Sequence, residues 1–135
     1  MKTTAERLLI KPGARVWIAG EVASGAVRIG PLPGGVTLAG AMPAGATATA
    51  DAVVLFARTS ADVTAHLPAA ARAAGPDGLL WLAYPKGTSG LKTDLGRDTL
   101  TPLTDRIAGL TGVTLVAIDA TWSAMRLRPS ERYRT

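Results

Sequence analysis

A chain of 135 residues, 47% hydrophobic and 19% charged, is long enough for one domain with a real core and too apolar for a disordered segment. It has no cysteine and a single histidine, His66, which excludes disulfides, thiolate metal centres, cysteine nucleophiles and histidine-rich metal sites. The formal charge of +5 favours anionic partners. Arginine gathers near the end, at Arg126, Arg128, Arg132 and Arg134. Few aromatics interleave them for base stacking, so this stretch reads as a solubilising tail ahead of a nucleic-acid interface.

Thr3 or Thr4 is placed to cap a short first helix running to Leu9, with Glu6 in its first turn and Lys11-Pro12-Gly13 as its stop. No long apolar run follows, so neither a signal peptide nor a membrane span is expected and a cytoplasmic location is the default. Arg15 to Ala19 is apolar without alternation, the pattern of a strand buried on both faces. Gly20 to Gly25 forms a loop, and the Pro/Gly-rich stretch from Gly30 to Gly45 has room for one short strand, Val36 to Ala39. Asp51 to Ala57 is a second buried strand.

Thr59 or Ser60 caps the next helix, whose stripe is Val63, Leu67, Ala70, Ala71 and Ala74. Pro68 is expected to kink or restart it, and Gly75-Pro76 to stop it. The strand Leu79 to Tyr84 then breaks at Pro85 into a polar loop holding Lys86, Ser89, Gly90, Thr93 and Asp94. Thr99 or Thr101 is expected to cap another helix, with Pro102 at its first position, a stripe of Leu100, Leu103, Ile107 and Leu110, and Gly112 as its end. Val113 to Ile118 is a strand, Asp119 to Ser123 a tight connection, and Ala124 to Arg128 a closing strand. The connection is too short for a crossover, so this last pair is antiparallel.

The pattern predicts a single three-layer, Rossmann-like α/β domain over residues 1–129, with a flexible basic tail at 130–135. Its sheet is mostly parallel with a C-terminal antiparallel hairpin; that hairpin and the phrase Ala74-Gly75-Pro76-Asp77-Gly78-Leu79-Leu80 resemble a shortened methyltransferase layout. The closing strand leaves a sheet edge open to pairing in a homodimer.

A Rossmann cofactor loop needs glycines that let the backbone approach a pyrophosphate. After Gly20 this chain reads Glu21-Val22-Ala23-Ser24, and Ile18 or Ala19 stands where a methyltransferase has its acid, so the fingerprint fails and no cofactor is implied. Lys86 to Thr93 is not a phosphate loop, because Leu91 separates Gly90 from Lys92. The loop does offer exposed amides and cations for an anion nest. If the later strand runs parallel to Leu79–Tyr84, then Asp119, Trp122 and Ser123 share the carboxyl edge with Lys86 and Ser89, where open α/β sheets bind ligands. The competing reading makes Trp122 a cap on the core and Asp119 a turn-former. Catalytic sets are thin. Ser89 and Ser123 have only His66 as a possible base, and a Lys86–Ser89 pair rests on spacing alone. Asp94 and Asp98, four apart, either pair as carboxylates, bind a hard cation weakly, or cap and charge the helix after them.

Trp81-Leu82-Ala83-Tyr84-Pro85-Lys86, Ser89-Gly90, Thr93-Asp94-Leu95 and Asp119-Ala120-Thr121-Trp122-Ser123 resemble the signature of a small bacterial family, the domain of unknown function 3052 family. Leu8 to Gly13 and Gly30 to Pro33 are similar to it too, so the resemblance spans Ala5 to Arg128, with Gly87 as a departure. It implies a small cytoplasmic Rossmann-like domain and points to Lys86, Ser89, Thr93, Asp94, Asp119, Trp122 and Ser123, but it brings no activity. The expectation is a non-catalytic module that binds an anionic small molecule or a protein partner at that edge. The alternatives are a degenerate methyltransferase-like enzyme and a nucleic-acid binder acting through the arginine-rich end.

Overall fold

The computed structural model describes residues 3–20, 29–30, 32–39, 50–75, 78–86, 90 and 93–130. The first helix, α1 (Thr4–Arg7), is held by a capping box in which Thr3 Oγ1 accepts from the Glu6 amide and Glu6 Oε1 accepts from the Thr3 amide. It ends sooner than its apolar pattern suggests. The amide of Leu9 donates to Glu6 and that of Ile10 to Ala5, the paired bonds of a Schellman turn. Such a turn needs a left-handed residue, and Leu9 supplies it at φ 63°.

β1 (Arg15–Gly20), β2 (Thr37–Ala39), β3 (Ala52–Phe56) and β4 (Leu79–Pro85) pair in parallel. Every residue of β3 is buried, which is why its sequence is apolar without alternation. β5 (Leu110–Ala117) and β6 (Trp122–Pro129) complete the sheet in the order β2-β1-β3-β4-β6-β5, with β6 antiparallel to both neighbours. The first four follow a Rossmann order without its outermost strand. β6 threads between β4 and β5. The open edge is therefore β5 and not the closing strand, because only an inserted β6 pairs with both of its neighbours.

α2 (Ser60–Ala74) and α3 (Arg97–Ala108) cover one face. There Val63, Leu67, Leu100 and Leu103 pack on Val53, Leu55, Leu82 and Met125. The other face buries Val16, Ile18, Val54, Phe56, Trp81 and Trp122 beneath Ala5 and Leu8 of α1 and Ile29. Trp81 Nε1 donates to the Leu8 carbonyl at 2.9 Å across the buried space, fastening α1 to the middle of the sheet. Phe56 and Trp122 meet edge to face, with ring centroids 5.1 Å apart.

Two further helix expectations change. α2 runs through Pro68 as one helix, with no restart. α3 starts at Arg97, capped by Gly96, whose amide donates to Thr99 Oγ1 at 2.9 Å, so Thr99 belongs to the first turn and Pro102 lies inside the helix. Gly109, left-handed at φ 66°, ends α3 and puts Leu110 and Gly112 in β5. Thr104 Oγ1 fixes this exit by donating to the Leu110 carbonyl at 2.8 Å, and the Ser130 amide donates to Gly109 at 2.9 Å. Arg126 and Arg128 are strand residues of β6, with buried Nε atoms that have no hydrogen-bond partner among the described residues. Arg132 and Arg134 lie outside those residues.

Candidate functional site

The four parallel strands point their carboxyl ends toward one edge. The chain leaves there at Gly20, at Ala57-Arg58-Thr59 and at Lys86, and residues 118–121 join β5 to β6 at the same edge. Backbone bonds tie these exits together: Ala57 donates to Ala83 at 2.9 Å, and Lys86 donates to Thr121 at 2.7 Å. Lys86 and Asp119 thus share one corner of the molecule, as expected if β4 and β5 run the same way.

Most candidate residues are already engaged inside the protein. Asp119 Oδ1 accepts from the amides of Thr121 and Trp122, each at 2.8 Å, which is the turn-forming role. Trp122 is fully buried as the first residue of β6 and caps the core. Ser123 lies half-buried inside the sheet between Tyr84 and Ala117. Thr93 Oγ1 accepts from the Leu95 amide at 3.0 Å. Gly90 is exposed and left-handed at φ 82°, and Ser89 lies outside the described residues.

Asp94 takes a role that its neighbours in sequence do not suggest. It does not serve the helix that follows it. Its carboxylate crosses to α2, where Oδ1 accepts from the Ser60 amide at 2.8 Å and Oδ2 accepts from Ser60 Oγ at 2.5 Å. These Ser60 hydrogen bonds, side chain first and then backbone, hold the Asp94 carboxyl below its ordinary range. An anion at a helix N-terminus is favourable, and here the protein supplies its own. Asp98 alone stays in the first turn of α3, exposed. A pairing signal 34 residues apart in sequence has no periodicity to reveal it.

Lys86 is different. It is half-buried, and its side chain has no hydrogen bond or ion pair among the described residues. Arg58, exposed just past β3, brings a second cation to this edge. Sequence reasoning passed over it, although it is the first charged residue after a fully buried strand. His66 is exposed on α2, and no group of three histidine, aspartate or glutamate side chains among the described residues is placed to hold a metal. Described cavities lie elsewhere: about 510 Å³ between α1 and Leu32-Pro33, and about 370 Å³ at the opposite edge beside Gly13, Asp51 and Leu79. Among the described residues, no helix is long and apolar enough to cross a membrane.

No protein-family model matches the sequence, and no curated protein does. Solved structures do match. An O-methyltransferase of neocarzinostatin biosynthesis, crystallised with S-adenosylmethionine and 2-hydroxy-5-methyl naphthoic acid, is similar at TM-score 0.60 and 16% identity, over 96% of this chain and 50% of its own. A SAM-dependent methyltransferase from Aquifex aeolicus is similar at TM-score 0.56 and 12% identity, over 90% of this chain and 85% of its own. The fold is Rossmann-like α/β, of the kind found in SAM-dependent methyltransferases. The chain spans half the length of the first of these enzymes.

The residues fit S-adenosylmethionine poorly. Gly20 keeps the turn after β1, left-handed at φ 78°. Ile18 and Ala19, either of which stands where an acid is expected, are both buried, and β2 closes on Leu38-Ala39 with no acid for a ribose.

Proposed function

We propose that this chain is a degenerate methyltransferase-like domain that binds an anionic small molecule at the carboxyl edge of its sheet and performs no methyl transfer of its own. One observation carries the proposal: Lys86, bonded through its amide to Thr121, is a half-buried residue whose amine has no partner among the described residues, at the edge where this fold class binds ligands. A lysine ammonium is a compact point charge suited to a phosphate or carboxylate, and Arg58 adds positive potential nearby. The reduced fingerprint after β1 supports binding without the usual cofactor mode. The resemblance to the domain of unknown function 3052 family belongs to the same proposal.

The test is a thermal-shift series against S-adenosylmethionine, nicotinamide dinucleotides, nucleoside phosphates and phosphorylated metabolites. A ligand at about a hundred times its dissociation constant stabilises the fold by about 2.7 kcal/mol. The expected result is a shift with a phosphorylated compound that Lys86→Ala removes while the unliganded melting temperature stays the same. No shift with any compound, or a shift that survives Lys86→Ala, overturns the proposal. Binding of S-adenosylmethionine with formation of a methylated product replaces it by an active methyltransferase.

A further inference from the structure

Among the described residues, the sheet face under α1 has a four-residue helix where the opposite face has two long ones. Along β6, Met125 and Leu127 join the core beneath α2 and α3, while Trp122 and Ala124 join the core beneath α1. Strand alternation puts Arg126 and Arg128 in the same row as Trp122 and Ala124. There the apolar core gives way to two half-buried cations.

Neither arginine has a hydrogen bond or ion pair among the described residues. Their stems are covered as far as Nε, which is buried in both, while the terminal nitrogens stay accessible. No acid sits in β4, β5 or β6, and Asp51, just before β3, is paired with Arg15. Two permanent positive charges thus lie about 6.6 Å apart along one strand, with no described acid to offset them.

β5 brings two hydroxyls beside them. Thr114 is the cross-strand partner of Arg126, and Thr111 that of Arg128. In a regular strand these threonines, three residues apart, would face opposite sides. The register irregularity between Gly112 and Thr114 absorbs the extra residue and sets both beside an arginine. Neither threonine side chain has a hydrogen bond among the described residues.

We propose that Arg126, Arg128, Thr111 and Thr114 form a binding site for one doubly charged phosphate group, inorganic or at the end of a monoester. Two guanidinium forks at this spacing close on a tetrahedral oxyanion from two sides, and its charges match theirs. The hydroxyls supply further donors, and the bulge in β5 is what turns Thr111 toward the anion. The site is separate from the carboxyl edge. Arg126 lies opposite Trp81 in the middle of β4, and Arg128 lies further still from Lys86.

The test follows the Nε–H resonances of Arg126 and Arg128 in the full chain, each assigned through its own backbone amide. Inorganic phosphate, added at constant ionic strength, is expected to shift both and to saturate them together. A ligand at Lys86 does not enter this reading. In Arg126→Gln or Arg128→Gln, the midpoint read from the remaining arginine is expected to rise by about tenfold or more. Thr111→Val is expected to raise it by about threefold, and Arg106→Gln, on the exposed side of α3, to leave it unchanged. Arg126→Gln also serves as the background for the Lys86 comparison. A response without saturation, an equal response to sodium chloride, or a midpoint unmoved by either arginine substitution overturns the proposal. So does a response to a single-stranded oligonucleotide alone, which makes this face a nucleic-acid surface instead. If a variant fails to fold, the wild-type titration against phosphate and chloride decides.

Discussion

At Gly20 the backbone leaves β1 at φ 78°, and a Cβ there would lie 1.9 Å from the Phe56 carbonyl oxygen. Backbone cannot move aside as a side chain can, so Gly20→Ala is expected to cost more than the ~1–2 kcal/mol of left-handed strain alone, measurable as a lowered urea midpoint. Leu9 presents the opposite case. It holds a left-handed angle of 63° with no glycine, while 46% exposed. Relieving about 1–2 kcal/mol of strain against about 0.5–1 kcal/mol of added chain entropy makes Leu9→Gly stabilising by roughly 0.5–1 kcal/mol. An unchanged or lower urea midpoint would show that Leu9 contributes packing that outweighs its strain.

Between elements, the contacts that matter are hydrogen bonds over long separations in sequence. Asp94 bridges to Ser60 at the start of α2. Asp51 accepts from the Arg15 amide at 2.8 Å and lies 3.5 Å from the Arg15 guanidinium, tying the starts of β1 and β3. Both carboxyls are held below their ordinary range, Asp51 chiefly by the Arg15 backbone hydrogen bond and Asp94 chiefly by the Ser60 hydroxyl. A depressed folded-state pKa adds stability that is present above the unfolded pKa and is lost as pH falls through the folded one. Stability is therefore expected to decline in the acid range below about pH 4, and Asp94→Asn to flatten part of that decline in chemical denaturation followed against pH. A curve with the same acid slope in both proteins would show that the Ser60 contact does not persist in solution. Trp81 supplies the matching link for α1. Trp81→Phe leaves the buried Leu8 carbonyl without its donor, at an expected cost of about 1–3 kcal/mol, and amide exchange in α1 is expected to rise with it.

The described residues form one sheet with a separate apolar core on each face. β3 and β4 contribute to both, so loss of packing on one side is expected to unfold the other with it. Trp122→Ala removes one of the two largest fully buried side chains, and about 3–5 kcal/mol of stability is expected to go in a single transition seen alike by far-UV and near-UV dichroism. Separate transitions would mean that the two faces fold as independent units.

How much of this was legible in the chain depends on the range of each interaction. Periodicity and continuous apolar runs are local, so Arg15–Ala19, Asp51–Ala57 and Leu79–Tyr84 were readable as buried strands, the amphipathic stripe of α2 as a helix, and the short Asp119–Ser123 link as an antiparallel return. From these the α/β class and methyltransferase-type layout follow. Where two local signals competed, the reading slipped: Gly109 and Gly112 both end a helix equally well in sequence, and only the bonds from Thr104 to Leu110 and from Ser130 to Gly109 choose the first. The same limit applies to the site. Sequence brought Lys86 and Asp119 to one edge through strand direction alone. It had no means to show that Asp94 is consumed by Ser60, that Trp122 lies under Phe56, or that β6 enters between β4 and β5 and leaves β5 open, because each of these is a contact between residues far apart in the chain whose partner only the folded sheet selects.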